Sequence, residues 1–480
     1  MPAALFVPGV ALLGLACGPG PIAGEPVGDV TTDPGAGATS EMAGDENDEG
    51  SEGSEGSEDS EDSEDSEDSE DGAPLLPTYW QDVAPITYEH CVVCHRDGGI
   101  GPFSLDGYDP TVALAPLAVE SVVARRMPPW GVTDDGSCNS WRDSTALSDA
   151  EIATITAWFD AGMPEGEPVD DLGVPELPSL EGALSGSTPV FVPEAIGGDL
   201  MENDEYRCFL VDPGIESDGY LTGSAVTPGN PGLVHHVFGV LIEPTQDNLE
   251  SIASMDGESP DRPGWPCDSP FAGVLPKASP IIWAPGQGVS KLPEGTGMPV
   301  AAGDLLVAQI HYNLIDPALV GQSDSTTLHL EVEDQVEREG TYEFYPGLLT
   351  TLFSSQPHLI PPGEEAHSFT YTVGMSGLVS QFGVGAELWG VFPHAHELGA
   401  SISIRLIDGQ GNETCVAEIP RWDFNWQHYY YMEEPLLLDF DDELEVTCVY
   451  DSTGVDEPTS PGWGTQNEMC FLGLFVSAGP

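Results

Sequence analysis

The chain has 480 residues and a formal net charge of −71, because 82 Asp and Glu stand against only 11 Lys and Arg. A chain this acidic lacks the basic surface that binds phosphate backbones, which excludes a nucleic-acid-binding function. Residues 45–71 hold much of the charge in a Ser/Glu/Asp repeat without an apolar residue, and such a segment is expected to stay disordered. Calcium binding is the alternative for this repeat, but it does not have the ligand spacing of a calcium loop.

An apolar stretch at residues 5–16 is too short to span a bilayer but has the length of a signal-peptide core. It ends in GLAC at residues 14–17, which resembles a bacterial lipoprotein box, although Leu is commoner at its first position. We therefore expect a signal peptide over residues 1–17, a lipid anchor on Cys17 and a disordered acidic linker over residues 18–76. These segments predict an exported bacterial protein, periplasmic or at the cell surface, that meets the membrane only through this anchor. A soluble secreted form is the alternative.

A C-x-x-C-H motif stands at residues 91–95. The thiols of Cys91 and Cys94 can bond covalently to the vinyl groups of a haem, and His95 can ligate its iron. With 9 Cys and 11 His in the chain, this string arises by chance only about 0.004 times per chain. The alternatives are a CxxC disulfide or half of a zinc site, and the sequence has no second CxxC to complete a zinc cluster. The motif therefore predicts covalently bound haem c.

The residues around this motif predict a small helical domain over residues 77–167. Its clearest element is LSDAEIATITAWFDAG, in which Ser148 and Glu151 have the spacing of a capping box and Gly162 with Pro164 ends the helix. A shorter amphipathic segment leads into the haem motif. With one helix before the motif and one at its end, this domain resembles cytochrome c.

The second axial ligand of the haem iron is expected to be Met127, in RRMPPW. The proline after it fixes the backbone without needing a hydrogen-bond donor, which suits a rigid ligand loop. Met163 and His90 are the alternatives, and His90 stands too near the motif to reach the opposite face of the haem. Arg125 and Arg126 either pair with haem propionates or have a plain surface role.

The character of the chain changes after an acidic, proline-containing linker over residues 168–185. The remainder is rich in Gly and Pro and contains short alternating runs such as STTLHLEVE and ASISIRLID, which predict antiparallel strands of β-sandwiches. About 300 residues is long for one sandwich, so we expect two packed β domains with a seam near residues 342–351. The predicted fold class is mainly β, with sandwiches over residues 186–345 and 346–480 preceded by the small all-α domain.

Histidines stand in three apolar, strand-like segments of this half. His235 and His236 lie in LVHHVFGVLI, His311 in LLVAQIHYNLI, and His394 and His396 in VFPHAHELG. Residues i and i+2 of a strand face one side, so His394 and His396 can bind one metal ion, whereas the vicinal pair needs a twist or bulge to converge. A buried imidazole needs a metal or a hydrogen-bond partner, and imidazole sites suit copper or zinc. The other histidines of this half are interpreted as structural or exposed: His329, His358, His367 and His428.

Met469 stands near the C-terminus in GWGTQNEMCFLGL. Its thioether is a soft ligand that favours Cu(I), and zinc sites rarely contain methionine; a core methionine beside a disulfide cysteine is the alternative. Taken in order, the motifs HH, QIHY, HAH and EMC resemble the copper type II, ascorbate-dependent monooxygenases, the family of peptidylglycine α-hydroxylating monooxygenase and dopamine β-monooxygenase. The resemblance covers about residues 186–480.

The resemblance implies two jelly-roll-like β-sandwiches, each holding one copper ion across a solvent-filled cleft. By motif match it also assigns one ligand set to each ion. The set expected to hold the electron-transfer copper is His235, His236 and His311. The set expected to hold the oxygen-binding copper, and to be catalytic, is His394, His396 and Met469.

Cysteine usage fits an oxidising compartment. The resemblance suggests two disulfides, Cys448 with Cys470 and Cys208 with Cys267. Cys138 and Cys415 are left over. They stand in different predicted domains, so free thiols and a cross-domain bridge are both open.

The resemblance implies a copper-dependent monooxygenase that hydroxylates a C–H bond with O2, one oxygen atom entering the substrate and the other forming water. Two copper ions and covalent haem c are the expected cofactors. Electrons would come from ascorbate, from a redox protein or through the fused haem domain. Two other classes stay open: a non-catalytic copper-binding or copper-sensing lipoprotein would use the same ligands, and an electron-transfer module would use the haem with structural metals.

The chain departs from the peptidylglycine enzymes where those enzymes bind the substrate carboxylate. They use an arginine two residues before the H-x-H pair, helped by an asparagine and a tyrosine shortly after the methionine. The matching positions here are Phe392, Phe471 and Gly473. None of these can pair with a carboxylate. We therefore expect a small neutral or aromatic substrate that packs near Phe392, and no peptide amidation.

Overall fold

A computed structural model of the chain describes residues 76–97, 101, 103–169, 172–173, 180, 182–195, 204–267, 269, 273–285, 287–314, 316–383, 385–462 and 466–479. These residues all belong to the second of two compact units, Gly72–Pro480. The expected signal peptide, its Cys17 and nearly all of the acidic linker lie outside the described residues. Within the described part, no helix is both long and apolar enough to cross a membrane.

The described chain opens with a helical region. A π-helical turn, Tyr79–Val83, is followed by three α-helices: α1 (Ala84–His90), α2 (Tyr108–Val123) and α3 (Asp149–Asp160). The capping box predicted for α3 is confirmed, because Ser148 Oγ accepts from the N–H of Glu151 and the Glu151 carboxylate accepts from the N–H of Ser148. Apolar residues of all these helices form one core around Tyr79 and Trp158.

The β region begins with ten strands and one helix. The strands are β1 (Leu184–Ser187), β2 (Asp204–Val211), β3 (Gly219–Thr227), β4 (Val234–Ile242), β5 (Trp265–Pro266), β6 (Pro276–Trp283), β7 (Ser290–Lys291), β8 (Thr296–Val300), β9 (Leu305–Asn313) and β10 (Thr327–Glu333). Helix α4 (Gln246–Asp256) follows β4, and a 3-10 turn, Pro317–Leu319, follows β9. The strand predicted in STTLHLEVE is confirmed as β10.

Eight further strands complete the described chain. They are β11 (Arg338–Tyr345), β12 (His367–Gly374), β13 (Ala386–His394), β14 (Gly399–Ile407), β15 (Glu413–Ile419), β16 (Tyr430–Leu438), β17 (Glu443–Tyr450) and β18 (Phe471–Ala478). Short helices α5 (Gly347–Thr350) and α6 (Ser376–Phe382) and a 3-10 turn, Thr351–Phe353, lie between them. The strand predicted in ASISIRLID is confirmed as β14.

The described strands form three sheets. One has the order β5-β2-β9-β4-β6, and a second has the order β12-β17-β14-β15. The third has the order β1-β10-β3-β8-β11-β18-β13-β16, with β7 paired to β3. This third sheet runs through both halves of the β region, since β11 pairs antiparallel with β18 and parallel with β8. The mainly β fold class is therefore confirmed, and the two halves share one continuous sheet.

Each half has its own apolar core. Side chains of the five-stranded sheet pack on the first part of the shared sheet, around Leu241, Ile310 and Leu328. Side chains of the four-stranded sheet pack on the second part, around Ile404, Val446 and Leu474. Burial of such side chains stabilises each layer by about 1.5–3 kcal/mol per residue. The layers place β4, β9 and β13, which carry the candidate histidines, in buried ladders.

Three disulfides join the described chain. Cys208–Cys267 and Cys448–Cys470 form as the resemblance suggests. Cys138 and Cys415 form the third, so the cross-domain bridge is the alternative that the structure contains.

The Cys138–Cys415 bridge attaches the helical region to the C-terminal half, and backbone hydrogen bonds reinforce it. The N–H of Arg142 donates to the carbonyl of Tyr431 at 2.8 Å, and the N–H of Thr133 donates to that of Glu418 at 2.7 Å. The segment between α2 and α3 thus lies along β15 and β16.

Candidate metal centres

The C-x-x-C-H motif lies in the turn that follows α1. Cys91 and Cys94 are free thiols, and burial raises the pKa of both, that of Cys91 to about 12. His95 Nδ1 lies 3.2 Å from the carbonyl oxygen of Phe103, whose ring stacks on the imidazole at a centroid distance of 4.5 Å. Because a carbonyl only accepts, Nδ1 carries the hydrogen and Nε2 can ligate a metal. Two neutral thiols and one oriented imidazole therefore fit a covalently attached haem.

Met127 lies in the turn after α2, with 38% of its surface exposed. Its neighbours Arg125 and Arg126 each make an ion pair with a carboxylate of the helical region, which is a surface role. Of the alternative ligands, Met163 packs against the helical core and His90 lies 3.4 Å from a glutamate carboxylate. Ligation of the haem iron by Met127 stays a prediction.

His235, His236 and His311 are brought together by the pairing of β4 with β9. His236 lies opposite His311 in the ladder, while Val234 lies opposite Tyr312, so His235 is an extra residue in β4. This is the bulge that a vicinal pair needs for both rings to reach one point. Ring nitrogens of the three histidines lie within 4.8 Å of one another. We call this group the His235 site.

Each ring of the His235 site has a polar neighbour near one of its nitrogens. His235 Nδ1 and His311 Nδ1 lie 3.1 Å apart. His311 Nε2 lies 3.3 Å from Asp204 Oδ1, and His236 Nε2 lies 3.3 Å from the carbonyl oxygen of Asn425. Burial lowers the pKa of His235 to about 4 and that of His236 well below its usual range. Both rings are therefore neutral at pH 7, which is the form that binds a metal ion.

His394 and His396 lie at the end of β13, together with Met469; we call this group the Met469 site. His394 is the last residue of the strand and His396 lies beyond it, so the expectation that one strand face carries both is wrong. The chain leaves the sheet because the Glu468 carboxylate accepts from the N–H groups of His396 at 2.9 Å and Leu398 at 2.7 Å. The two imidazole centroids are still only 5.0 Å apart. Glu468 also accepts from the N–H of Met469 at 3.1 Å, which fixes the methionine backbone beside His396.

Hydrogen bonds orient both rings of the Met469 site. Gln427 Nε2 donates to the carbonyl of Phe424 at 2.5 Å, so Gln427 Oε1 faces His394 Nδ1, also at 2.5 Å. His396 Nδ1 lies 2.9 Å from the carbonyl oxygen of Asn467. Both Nδ1 atoms therefore donate, and Nε2 is the nitrogen that can bind a metal. Burial lowers the pKa of His394 to about 3, so this ring is neutral at pH 7.

An aromatic wall borders the Met469 site. Met469 is almost fully buried and packs with Phe392, Phe471 and Leu349. The rings of Phe392 and Phe471 lie 5.9 and 6.1 Å from that of His394. Apolar aromatic surface therefore lies next to the candidate metal ligands, at the positions where the sequence predicts packing against a substrate.

The hydroxyl of Tyr429 lies in the same wall. Its ring is 5.4 Å from that of Phe392, and a Cβ on Gly473 would lie 2.9 Å from the hydroxyl oxygen. This oxygen is buried without a hydrogen-bond partner among the residues that the structure describes. Because Gly473 has no side chain, the hydroxyl of Tyr429 fits beside it. A buried hydroxyl normally has a hydrogen-bond partner, so this one is free to bond to a further polar group.

One loop contacts both histidine sites. The ring of Phe424, between β15 and β16, lies 6.2 Å from that of His236 and 6.1 Å from that of His396. Asn425 accepts from His236, and Gln427 accepts from His394. The resemblance implies a solvent-filled cleft between the two sites. Here the ring of Phe424 reaches both sites. Its two polar neighbours hold the loop in place, because Asn425 bonds to His236 and Gln427 bonds to His394 and to the carbonyl of Phe424.

The donor sets fit copper. The His235 site offers three neutral imidazoles, a set that supports both cuprous and cupric ions. The Met469 site offers two Nε2 atoms and a soft thioether, a set that favours Cu(I). The carbonyl oxygen of Asn467 orients His396 as the partner of a metal-ligating histidine does, and the Asp204 carboxylate lies 3.3 Å from Nε2 of His311.

Sequence reasoning missed the residues that hold these rings in place. Glu468 stands inside the EMC motif, but nothing in the sequence indicates that this carboxylate is completely buried. Gln427 and Phe424 lie in a loop without periodicity, so no pattern marks them. Asp204 is the first residue of β2, and nothing in the sequence distinguishes it from other acidic residues at strand ends. Only their positions in three dimensions reveal their contacts.

A protein-family model for the copper type II ascorbate-dependent monooxygenase C-terminal domain matches residues 346–475. DBH-like monooxygenase protein 1 of Gallus gallus is 25% identical over 282 residues, covering 56% of this chain and 42% of the relative. Dopamine beta-hydroxylase of Canis lupus familiaris is 25% identical over 254 residues, covering 51% and 38%. Peptidyl-glycine alpha-amidating monooxygenase of Mus musculus is 26% identical over 305 residues, covering 57% and 27%.

The chain thus spans less than half the length of these curated relatives. Among solved structures, the cowpea mosaic virus top component matches with a TM-score of 0.27 at 10% identity, covering 65% of this chain and 95% of that one, a likeness too low to support an inference. The relatives and the family model agree with each other. Residues 346–475 match the C-terminal domain of the copper type II ascorbate-dependent monooxygenases, and the chain is similar to proteins named as monooxygenases or hydroxylases.

Proposed function

We propose that this protein is an exported haem-copper monooxygenase that hydroxylates a C–H bond of a small neutral or aromatic substrate with O2. The observation that carries the proposal is the presence, in one compact body, of a three-histidine site and a site of two histidines and a methionine. Phe424 contacts a histidine of each. The similarity of the chain to copper type II ascorbate-dependent monooxygenases supports the same function.

The two copper ions have different roles in this proposal. His235, His236 and His311 would hold the copper that supplies electron transfer, and His394, His396 and Met469 would hold the copper that supplies the chemistry of O2. The reaction consumes one O2, two electrons and two protons, and yields the hydroxylated substrate and water. When bound, copper supplies the one-electron chemistry. Gln427 Oε1 and the carbonyl of Asn467 accept from the Nδ1 atoms of His394 and His396, which leaves Nε2 of each ring with its lone pair, and the Asp204 carboxylate lies beside Nε2 of His311.

We propose that electrons enter through haem c on Cys91 and Cys94, with His95 and Met127 as axial ligands, or from ascorbate. The docking of the helical region on the C-terminal half supports entry through the haem. Trp130, three residues after Met127, contacts the ring of His428 at a centroid distance of 5.5 Å, and His428 is the neighbour of Gln427. The helical region therefore reaches the loop that orients His394.

The proposed substrate is neutral and partly aromatic. The wall next to His394 consists of aromatic and aliphatic side chains, and Phe392 and Phe471 offer no charge to a carboxylate. The buried hydroxyl of Tyr429 offers one hydrogen bond to a neutral polar group. This combination suits a small aromatic molecule with a hydroxyl or amide group, and the protein is not expected to amidate peptides.

The test of the copper assignment compares two buried methionines. Full-length, copper-loaded protein with ascorbate and 18O2 is incubated with neutral aromatic compounds and with an acylated glycine, and products are identified by mass spectrometry. Met469→Leu should lower hydroxylation by about 100-fold or more while most copper stays bound. Met375→Leu, at an equally buried methionine of the C-terminal core, should leave turnover unchanged. Full turnover by Met469→Leu would show that the oxygen site is elsewhere, and efficient turnover of acylated glycine would refute the substrate class alone.

The haem assignment has its own test. Protein matured with a cytochrome c assembly system should keep its haem through denaturing electrophoresis, because thioether bonds survive unfolding. Cys91→Ser with Cys94→Ser should lose the haem stain. Met127→Ala should keep the stain but change the absorption bands that report the axial ligand, and an unchanged spectrum would move the ligand to Met163 or elsewhere.

Location is part of the same proposal. The signal-like segment and Cys17 support export and a lipid anchor, by which the protein would be held at the periplasmic or outer face of a bacterial membrane. Metabolic labelling with a fatty-acid analogue should mark the wild type and not Cys17→Ser. The second candidate function is a non-catalytic copper-binding or electron-transfer lipoprotein, favoured by the haem motif; redox cycling without any oxygenated product would support it.

A further inference from the structure

Two histidines outside both candidate copper sites face each other at one end of the four-stranded sheet. His358 Nε2 and His367 Nε2 lie 2.9 Å apart, and their ring centroids are 5.2 Å apart. Glu364 Oε2 lies 2.9 Å from His367 Nδ1. Because the carboxylate accepts from Nδ1, the lone pair of His367 is on Nε2 and points at His358. No sequence pattern indicates this pair, since its members are nine residues apart in an irregular segment.

The backbone holds all three residues in place. The N–H of His358 donates to Thr351 Oγ1 at 3.1 Å. Glu364 exchanges hydrogen bonds with Ser452, its N–H donating to the hydroxyl at 3.0 Å. His367 opens β12 in register with Tyr450. A site whose ligands are fixed on a rigid frame loses little entropy when an ion binds.

We propose that His358 and His367 bind one transition-metal ion of the copper–zinc class, with Glu364 as the carboxylate that orients His367. This would be a third metal site, separate from the His235 and Met469 sites. Two imidazole nitrogens on one tetrahedral ion lie about 3.3 Å apart, so the rings need to separate by only a few tenths of an ångström. The same structure brings the Nδ1 atoms of His235 and His311 to 3.1 Å.

The ligand chemistry follows from the donors. Two imidazoles without a thiolate suit zinc or copper rather than magnesium or calcium. The side chains of His367 and Glu364 are 19% and 50% exposed, so water can complete the coordination of the ion. A carboxylate behind a ligating histidine is the usual partner in such sites, and its loss weakens binding.

The third site lies behind the turn that carries Met469. Tyr450, which pairs with His367 in the ladder, donates its hydroxyl to the carbonyl oxygen of Met469 at 2.8 Å. An ion bound by both His358, in the loop before β12, and His367, the first residue of β12, therefore stabilises the backbone beside the Met469 site. Occupancy of the third site is expected to raise the thermal unfolding midpoint of the protein.

The experiment counts metal ions. Full-length, tag-free protein in excess Mg²⁺, which occupies exposed carboxylates, is titrated with Zn²⁺ alone and with Cu²⁺ alone, desalted and analysed for bound metal. His358→Ala and His367→Ala should each bind one equivalent fewer than the wild type. Glu364→Gln should keep the equivalent with affinity about 10- to 100-fold weaker. His329→Ala, at a histidine bonded to Thr227 on another sheet, should match the wild type.

The outcomes separate this proposal from the proposed function. If the two copper sites do not bind, the totals fall for wild type and variants alike, and the difference of one equivalent remains. A difference seen with only one metal identifies that metal. Equal totals for the wild type and His367→Ala with both metals overturn the third site. If the alanine variants do not fold, anomalous diffraction from wild-type crystals soaked in Zn²⁺ decides, because a peak between the two Nε2 atoms supports the site and its absence refutes it.

Discussion

The His235 site lies inside a paired ladder, whereas the Met469 site begins where a strand ends. In the first site, the register of β4 against β9 and one bulge bring the rings together. In the second, the Glu468 carboxylate draws the chain off the sheet and Gln427 turns the His394 ring. A ladder fixes its side chains through many backbone hydrogen bonds. A turn held by a few side chains can be changed by substituting any one of them.

The largest expected effects come from the ligands themselves. His311→Ala and His394→Ala should each weaken copper binding at the substituted site and abolish hydroxylation, because each site loses one of the imidazoles that carry most of its affinity. Because different groups hold the two sites, the loss of copper should be confined to the site that carries the substitution. Metal analysis with electron paramagnetic resonance of the remaining Cu²⁺ measures this, and loss of both ions from either variant would show that the two sites are not independent.

The next effect concerns the covalent attachment of the helical region to the half that holds the Met469 site. Cys138→Ser with Cys415→Ser opens a bridge across 277 residues, which should lower the free energy of unfolding by about 3 kcal/mol. Denaturant titration measures the change. The matched control is Cys208→Ser with Cys267→Ser, which opens a 59-residue bridge in the other half and should leave contact between Trp130 and His428 intact. Equal stability of wild type and the first variant would contradict the prediction.

Glu468→Gln tests the turn directly. The Glu468 carboxylate accepts from three backbone N–H groups, those of His396, Leu398 and Met469. A glutamine places an amide N–H₂ against at least one of these donors, which should cost about 2 kcal/mol and weaken copper at the Met469 site alone. Asp204→Asn is the matched change behind His311. Asp204→Asn should leave the paired strands and the three histidines of the His235 site in place. If it caused as much copper loss as Glu468→Gln, the His235 site would be no more robust than the Met469 site.

The sequence predicted what local patterns encode. The alternation in β10 and β14, the capping box of α3 and the bulge required by the His235-His236 pair follow from neighbours along the chain. Helices α2 and α4 escaped prediction. The first contains Pro116, and the second interrupts a region dominated by strand patterns.

The remaining features depend on residues that are far apart in the chain. Strand β11 pairs parallel with β8 and antiparallel with β18, which joins the two halves into one sheet, and no local pattern indicates these pairings. Likewise, His396 was expected on the strand, but a carboxylate 72 residues later takes its N–H. The ligands of both sites could be predicted because histidine and methionine are uncommon in these segments. The groups that orient the ligands are ordinary polar residues, so no sequence pattern identifies them.

The smallest expected effect is a pH dependence of the contact between the helical region and the Met469 half. Burial lowers the pKa of His428, which packs between Trp130 and Tyr430, to about 4. Because the unfolded value is about 6.5, the unfolded chain takes up this proton first as the pH falls. The stability contributed by the neutral ring is therefore present above about pH 6.5 and decreases as the pH falls towards 4, by about 2 kcal/mol between pH 7 and pH 5.

His428→Phe keeps an aromatic ring without a titrating group, so the stability difference between variant and wild type should grow in favour of the variant over this interval. Denaturant titrations of both proteins at pH 7, 6 and 5 measure it, and parallel stability curves would mean that His428 takes up its proton in the folded protein as readily as in the unfolded one.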